Sequence, residues 1–385
     1  MPVLKPGMAQ QLNQRISQMS DSKIRRWHQY FQSIPGIIDL SVGEPNFAVS
    51  SQTKAAIQSA IEKDESHYSL TQGFKPLRDA VSKYVQKEFD APKYLDTETL
   101  ITVGATEGIY ASLQALFNPG DVIVLPTPTY PLYAQIANSL GLQVVKIDTS
   151  KSGFKLTPDT LEAVLEAQPK AKGFIFNDPT NPTGVAYSET EVHELAKVLS
   201  QTNICIITDE IYGALTYDIK HVSMAKFLPS QTVIIGGLSK SHAMTGYRIG
   251  FVLGPEKLIS AIAHVHQLVV GSTPTPLMVG SISAINDDVF VEEMRQAYLI
   301  RRNRLIAAFE EVDLTVIKPS GAFYLLLKIP ANIEEEQFVI ALAENGVGVI
   351  PGSIFDIPGY VRLSFATSDE ELEIAIQRIK KYMTK

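Results

Sequence analysis

The sequence predicts an α/β protein in which a mostly parallel central sheet, flanked by helices, is joined to a smaller α+β unit. From residue 97 onward, short β-branched runs alternate with amphipathic stretches. The runs carry little polar alternation, as in strands buried on both faces. Past residue 287 the texture changes to one long amphipathic stretch followed by strand-like and helix-like segments.

The runs are TLITVG (99 to 104), DVIVLP (121 to 126), LQVVKID (142 to 148), KGFIFN (172 to 177), ICIITDE (204 to 210) and VIIGG (233 to 237). Between them ATEGIYASLQALF and SETEVHELAKVLS have helical apolar spacing, and the second opens with Ser188 and Glu191 at the separation of a capping box. Asp288 to Glu311, with charge dense on one side, reads as a connecting helix. GAFYLLLKI and YVRLSFA read as strands and ELEIAIQRIKKYM as a terminal helix. The early segment IIDLSVGEPNF precedes the main alternation and is expected to pack with the C-terminal unit. The expected division is a large domain over 47–287 and a discontinuous small domain over 1–46 and 288–385. No internal repeat or low-complexity segment interrupts it.

Composition narrows the function. A chain of 385 residues, 45% hydrophobic and 19% charged, can bury a large core. Its net charge of -7 offers nucleic acid no broad basic surface. Cys205 is the only cysteine, so disulfides and a cysteine-based zinc site are excluded, and its apolar setting in NICIIT reads as a buried, inert thiol. The N-terminus has no signal-peptide core and no run reaches the length of a membrane span, which reads as a cytoplasmic protein.

Open α/β sheets bind ligands beyond the carboxyl ends of their strands, so the residues that follow each run are the ones to inspect. After TLITV come Gly104, Ala105, Thr106 and Glu107 at a helix start, where free N–H groups favour an anion such as phosphate. KGFIF leads into NDPTNPTG with Asn181, and ICIIT into Asp209 with Tyr212 three residues on. VII leads into GGLSK with Lys240 and then Arg248. Each alone has a plain structural reading, as a turn former, a helix cap, a core phenol or a solvated lysine. An acid, an amide, a phenol, a lysine and an arginine at successive strand ends are harder to explain as coincidence.

Together these residues resemble the fold-type I pyridoxal phosphate enzymes of the class I/II aminotransferase (aspartate aminotransferase) superfamily. The likeness runs from VGEPNF through NPTG, DEIY and SKSHAMTGYRIG to VRLSFA. The wording GLSKSHAMTGYRIGF, with GAFY and PGSIF downstream, is similar to the branch of N-acetyl-diaminopimelate and aromatic amino acid aminotransferases. The resemblance implies that Lys240 holds pyridoxal 5'-phosphate as a Schiff base and that Asp209 pairs with the pyridine nitrogen. It implies that Tyr212 and Asn181 bond the ring 3-oxygen and that Tyr130, in PTPTYPLY, stacks on the ring. The phosphate would lie on the N–H groups of Ala105 and Thr106, the Thr106 hydroxyl, Ser239 and the Arg248 guanidinium. Tyr68 matches a tyrosine that reaches the phosphate of a neighbouring subunit, which implies a homodimer with shared sites. Arg362 matches the arginine that forks onto the substrate α-carboxylate, with Gly43 lining the same pocket and Asn181 beside it.

The implied reaction moves an amino group between an L-amino acid and a 2-oxo acid, with Lys240 shuttling the proton. A β-lyase acting on cysteine-like amino acids uses the same carbanion and stays open as an alternative. A cofactor-binding transcription factor would need an added DNA-binding segment, for which a match beginning at Val42 is expected to leave no room. The stretch HQLVVGSTPTPL lacks the arginine that aspartate-specific members place against the distal carboxylate. His264 and His266, two residues apart, fall on different helix faces and read as structural, so no metal is expected. Many relatives carry a serine three residues before the lysine, where this chain has Gly237. Gly237→Ser would either add a phosphate contact or strain a backbone at positive φ, and the first is the expectation.

Overall fold

In the computed structural model, which describes residues 1–19 and 21–384, each β-branched run becomes a strand of one sheet. A two-residue strand, β1 (Ile38–Asp39), precedes it. The sheet itself is built from β2 (Thr99–Val103), β3 (Val122–Thr127), β4 (Gln143–Asp148), β5 (Ala171–Asn177), β6 (Cys205–Asp209), β7 (Thr232–Gly237) and β8 (Ile249–Leu253). Their order is β2-β8-β7-β6-β5-β3-β4, and β8 alone runs against the rest. The strand–helix alternation of the sequence does not mark β8, because no amphipathic helix separates it from β7. Its direction matters for the site: the start of an antiparallel strand lies at the same sheet edge as the carboxyl ends of its neighbours.

The central strands are buried along their length, β7 at every residue, because helices cover both faces. Helix Gly104–Leu116 packs on β7 and β8. Helix Glu189–Ser200 opens with the expected capping box, in which Glu191 accepts from the Ser188 N–H at 2.7 Å and Ser188 Oγ accepts from the Glu191 N–H at 3.3 Å.

Beyond the helix Asp288–Glu310, whose 23 residues span about 35 Å at 1.5 Å per residue, the chain forms β9 (Val316–Ile317), β10 (Tyr324–Lys328), β11 (Val347–Gly348), β12 (Ile350–Pro351) and β13 (Tyr360–Ser364). Four of them make an antiparallel sheet in the order β12-β13-β10-β9. The early segment joins this region as expected: β1 pairs in parallel with β11, Ile38 opposite Val347. Phe31, Ile38 and Leu40 share one apolar cluster with Phe323, Leu325, Val361 and Leu363. Helix Asp369–Met383 closes the chain, starting from a second capping box at Ser368.

Cys205 is half-buried rather than buried, at the start of β6, and burial pushes its thiol up to about 12, which keeps it protonated and unreactive. The two histidines do diverge. His266 is fully buried with Nδ1 3.1 Å from Glu107 Oε2, whereas His264 is exposed. Among the described residues no helix is long and apolar enough to cross a membrane, and no group of three or more His, Cys, Asp or Glu is placed to hold a metal ion.

Candidate active site

One cavity, of about 270 Å³, opens at the carboxyl edge of the main sheet and reaches β13. Eleven of the twelve residues singled out from sequence line it, although they span positions 43 to 362. Tyr68 does not: it is 95% exposed and outside the cavity.

At one end, β2 turns into helix Gly104–Leu116 through Gly104 at φ +75°. The first turn of a helix leaves its N–H groups without helical partners, and Ala105 and Thr106 line the cavity here. Arg248 comes to the same end because it directly precedes the antiparallel β8. It is held at φ +56°, an uncommon conformation for a residue with a side chain. Its Nη1 donates to the Thr245 carbonyl at 2.9 Å, and its guanidinium lies over Gly104, where a Cβ would come within 2.5 Å of Nη2. Gly104 is therefore required twice, for its φ and for this approach. Ser239 lines the same wall.

Asp209, the last residue of β6, forms the floor. Its Oδ2 accepts from the Tyr133 hydroxyl at 2.7 Å and its Oδ1 from the Ile211 N–H at 3.1 Å. Burial raises its pKa to about 6 against the opposing pull of these donors. Tyr130 stands edge-on to Tyr133, centroids 5.9 Å apart. Lys240, three residues past β7, projects into the cavity and its Nζ donates to the Gly43 carbonyl at 2.6 Å. Burial, aided by Arg362 and Arg248, lowers its pKa to about 8, so the neutral amine is accessible near physiological pH.

At the other end stands Arg362, the middle residue of β13. Its Nη1 donates to Asn181 Oδ1 at 3.0 Å and its Nη2 to the Ser41 carbonyl at 2.7 Å, while its Nε is buried without a partner. The guanidinium is sandwiched by the rings of Tyr324 and Phe355 at 4.3 and 4.8 Å. Asn181 is positioned through Asn177, whose Oδ1 accepts the Asn181 N–H at 2.9 Å and whose Nδ2 donates to the Asp209 carbonyl at 3.0 Å. The Tyr212 hydroxyl meets that of Tyr324 at 2.8 Å, so Tyr212 and Asn181 each have a partner of their own instead of each other.

Sequence reasoning missed Tyr133, Tyr324, Ser22, Ile24 and Thr245, which also line the cavity. Tyr133 had a signal: it lies three residues after Tyr130, on the same face of the turn in PTPTYPLY. Ser22, the N-cap of helix Lys23–Gln32, and Ile24 within that helix had none, because they reach the cavity by tertiary packing alone. The reading of Gly237 changes. Its φ is not positive, but a Cβ there would lie 2.9 Å from the Ile249 carbonyl oxygen and 3.1 Å from Gly250 Cα. The glycine is present for the closeness of β8 to β7.

An electropositive cavity with an arginine at each end, an amine between them and a buried carboxylate below suits a ligand set carrying two anionic groups and a carbonyl that the amine can attack. The fold and this arrangement define an α/β transferase of the aminotransferase type. The sequence family "Aminotransferase class I and II" matches residues 35–379, and the chain belongs to it. It is 36% identical over 381 residues to the probable N-acetyl-LL-diaminopimelate aminotransferase of Bacillus subtilis (strain 168), covering 97% of this chain and 96% of that one. It is 32% identical over 383 residues to aromatic-amino-acid aminotransferase 2 of Thermococcus litoralis, covering 97% and 98%. The structure of Thermus thermophilus aspartate aminotransferase with maleate superposes with a TM-score of 0.92 at 30% identity, covering 96% of this chain and 99% of that one.

Proposed function

We propose that the cavity binds pyridoxal 5'-phosphate and that the enzyme transfers an amino group between an L-amino acid with a bulky or neutral side chain and a 2-oxo acid. The observation that carries this is the desolvated amine of Lys240, lining one cavity with the Asp209 carboxylate and the guanidinium groups of Arg248 and Arg362. When bound, the cofactor supplies an electron sink that stabilises negative charge at the substrate Cα. The residues present fit it. Gly104, which Arg248 overlies, and the cavity-lining Ala105, Thr106, Ser239 and Arg248 would cradle its phosphate, and the buried Asp209 carboxylate would pair with a protonated ring nitrogen.

Lys240 supplies the amine that holds the cofactor and, once displaced, the base that takes and returns the substrate α-proton. A pKa near 8 suits both roles, since the amine must be neutral to attack and must accept a proton to shuttle it. Arg362 forks onto the α-carboxylate through its free Nε edge and orients Cα toward Lys240, while Asn181 and Ser41 hold the guanidinium in place. Tyr130 packs against the ring, and Tyr212 and Asn181 supply donors to its 3-oxygen. Tyr68, exposed on the surface, reaches the phosphate end of a second copy's cavity in a homodimer. Residues 47–287 act as the cofactor-binding unit, with 1–46 and 288–385 closing over the substrate.

Substrate scope follows from the cations present. Lys240, Arg248 and Arg362 are the basic residues on the cavity wall and all three have assigned partners, while Ser22 and Ile24 offer a neutral surface. A second substrate carboxylate would find no fork among the described residues of this chain. A single-turnover panel of amino donors, scored by loss of the bound cofactor's visible absorbance, tests the reading. N-acetyl-diaminopimelate or aromatic donors should react at least as fast as aspartate. A strong preference for aspartate refutes the substrate class, and no reaction with any amino acid refutes the function.

A further inference from the structure

Behind the cavity floor lies a second cluster of charged side chains that the proposed chemistry does not use. Asn177 and Asp209 are cross-strand partners at the ends of β5 and β6. The residues that follow them are both acidic, Asp178 and Glu210. They remain in the ladder: the Asp178 N–H donates to the Asp209 carbonyl at 3.2 Å and the Glu210 N–H to the Ile235 carbonyl at 2.8 Å. Successive side chains on a strand point to opposite faces, so these two carboxylates turn away from the cavity. Between them sits His221, with Nε2 3.1 Å from Glu210 Oε2 and Nδ1 3.4 Å from Asp178 Oδ2.

All three groups are essentially inaccessible, at 2%, 1% and 0% exposure for His221, Asp178 and Glu210. The imidazole is fixed by packing, since it meets the Phe89 ring edge-on at 5.3 Å and a Cβ on Gly213 would reach its Cδ2 at 2.9 Å. Glu210 is further held by Ser223 Oγ at 2.6 Å and Thr208 Oγ1 at 3.0 Å, and Asp178 by the Tyr187 N–H at 3.1 Å. Burial opposes a charge on His221, but the two carboxylates outweigh it and raise its pKa to about 10. The cluster therefore carries two negative charges and one positive, immediately behind the one carboxylate that faces the cavity floor.

We propose that His221 is a positioning residue for cofactor binding: its imidazolium neutralises Glu210 and Asp178 from behind, and so lets Asp209 stay anionic toward a protonated pyridine nitrogen. This rests on the pyridoxal phosphate reading above. Without the imidazolium, Asp209 and the cofactor nitrogen would form a dipole whose negative end points at two unbalanced buried carboxylates. The proton would then move from the ring to Asp209. Glu210 already acts on Asp209 in this direction, pushing its pKa up.

The test compares apoenzyme affinity for pyridoxal phosphate with affinity for the carbocyclic analogue in which C–H replaces the ring nitrogen. Only the first ligand uses the Asp209 charge. His221→Gln should weaken pyridoxal phosphate about tenfold, the equivalent of one pKa unit at Asp209, and leave the analogue within about twofold. Glu210→Gln should shift the preference the other way, toward pyridoxal phosphate, because it removes a repelling charge and keeps the imidazolium. Loss of both ligands in parallel in His221→Gln, or an unchanged or reduced preference in Glu210→Gln, overturns the proposal. If His221→Gln does not fold, the Glu210→Gln arm decides by itself. A wild-type apoenzyme that binds neither ligand overturns the cofactor reading and this inference with it, whereas normal wild-type binding with unmoved preferences overturns this inference alone.

Discussion

Gly237→Ser is the substitution on which sequence and structure disagree most sharply. A serine hydroxyl three residues before Lys240 would add a charge-assisted phosphate contact worth roughly 1.5 to 3 kcal/mol. The structure sets a cost against that gain. Gly237 is the cross-strand partner of Gly250, and a Cβ on it would lie 2.9 Å from the Ile249 carbonyl oxygen and 3.1 Å from Gly250 Cα, where ordinary contact begins at 3.4 Å. Ile211 Cδ1, at 3.2 Å, blocks the third direction. The natural relief is for β8 to move away, but Gly250 is itself packed on the backbone of Gly104 and Ala105, where even a methyl group would overlap.

Any shift of β8 is therefore transmitted to the helix start proposed above as the phosphate cradle and to Arg248 at the head of the strand. Overpacking of this kind costs typically 1–3 kcal/mol, about the size of the hydrogen bond it would offset. Part of that cost falls on the cradle geometry that the new bond needs. Gly237→Ser should thus weaken pyridoxal phosphate binding by roughly three- to tenfold, at about 1.4 kcal/mol per decade, and lower the melting temperature of the apoenzyme. Gly237→Ala carries the same Cβ without the hydroxyl and should be at least as weak. Titration of the three apoenzymes with pyridoxal phosphate, alongside thermal melts, decides it. A serine variant that binds more tightly than wild type at unchanged melting temperature refutes the steric argument.

Three further outcomes follow from the site. Because burial lowers the Lys240 pKa to about 8 and only the free base attacks, covalent capture of pyridoxal phosphate by apoenzyme should accelerate as pH rises through 8. Lys240→Ala should show no capture at any pH, and a flat wild-type profile between pH 6 and 9 would count against the desolvated amine. Asp209→Asn should lower the rate of α-proton abstraction by about 10²-fold or more through loss of fixed charge at the cofactor nitrogen. Arg362→Ala should instead raise KM for every amino acid by about ten- to a hundredfold, as expected for losing one charged hydrogen bond. Equal, mild effects would contradict the pocket as drawn. Tyr133→Phe removes the donor that holds the Asp209 pKa down at about 6. Its pKa should rise by about one unit and carry the acid limb of cofactor binding to higher pH, while an unmoved limb would show that the bond is not made in solution.

The central strand runs were legible in the sequence because they are buried on both faces, and burial of that kind forces continuous Val and Ile such as VIIGG and ICIIT. The edge strand β4 is exposed or half-buried at most positions and was legible only from its β-branched pair. The residues placed after those runs were legible for a related reason: a parallel sheet delivers all its carboxyl ends to one edge, so Asn181, Asp209 and Lys240 had to converge if the sheet formed. The resemblance to a known family added Arg362 and Gly43, which no local pattern marks. Three things were decided only by the tertiary structure. The antiparallel course of β8 turns Arg248 into the cavity and brings Gly250 against Gly237, and strand direction is not written in the composition of a five-residue run. The partners of Asp209 and Arg362, namely Tyr133, Tyr324 and Ser41, come from segments 38 to 321 residues away, so their pairing depends on how the units pack. The charge state of His221 is likewise a property of place. Its own neighbours in sequence, Lys220 and Val222, say nothing of the two carboxylates that the ends of β5 and β6 set around it, and it is that surrounding field that keeps the imidazole protonated.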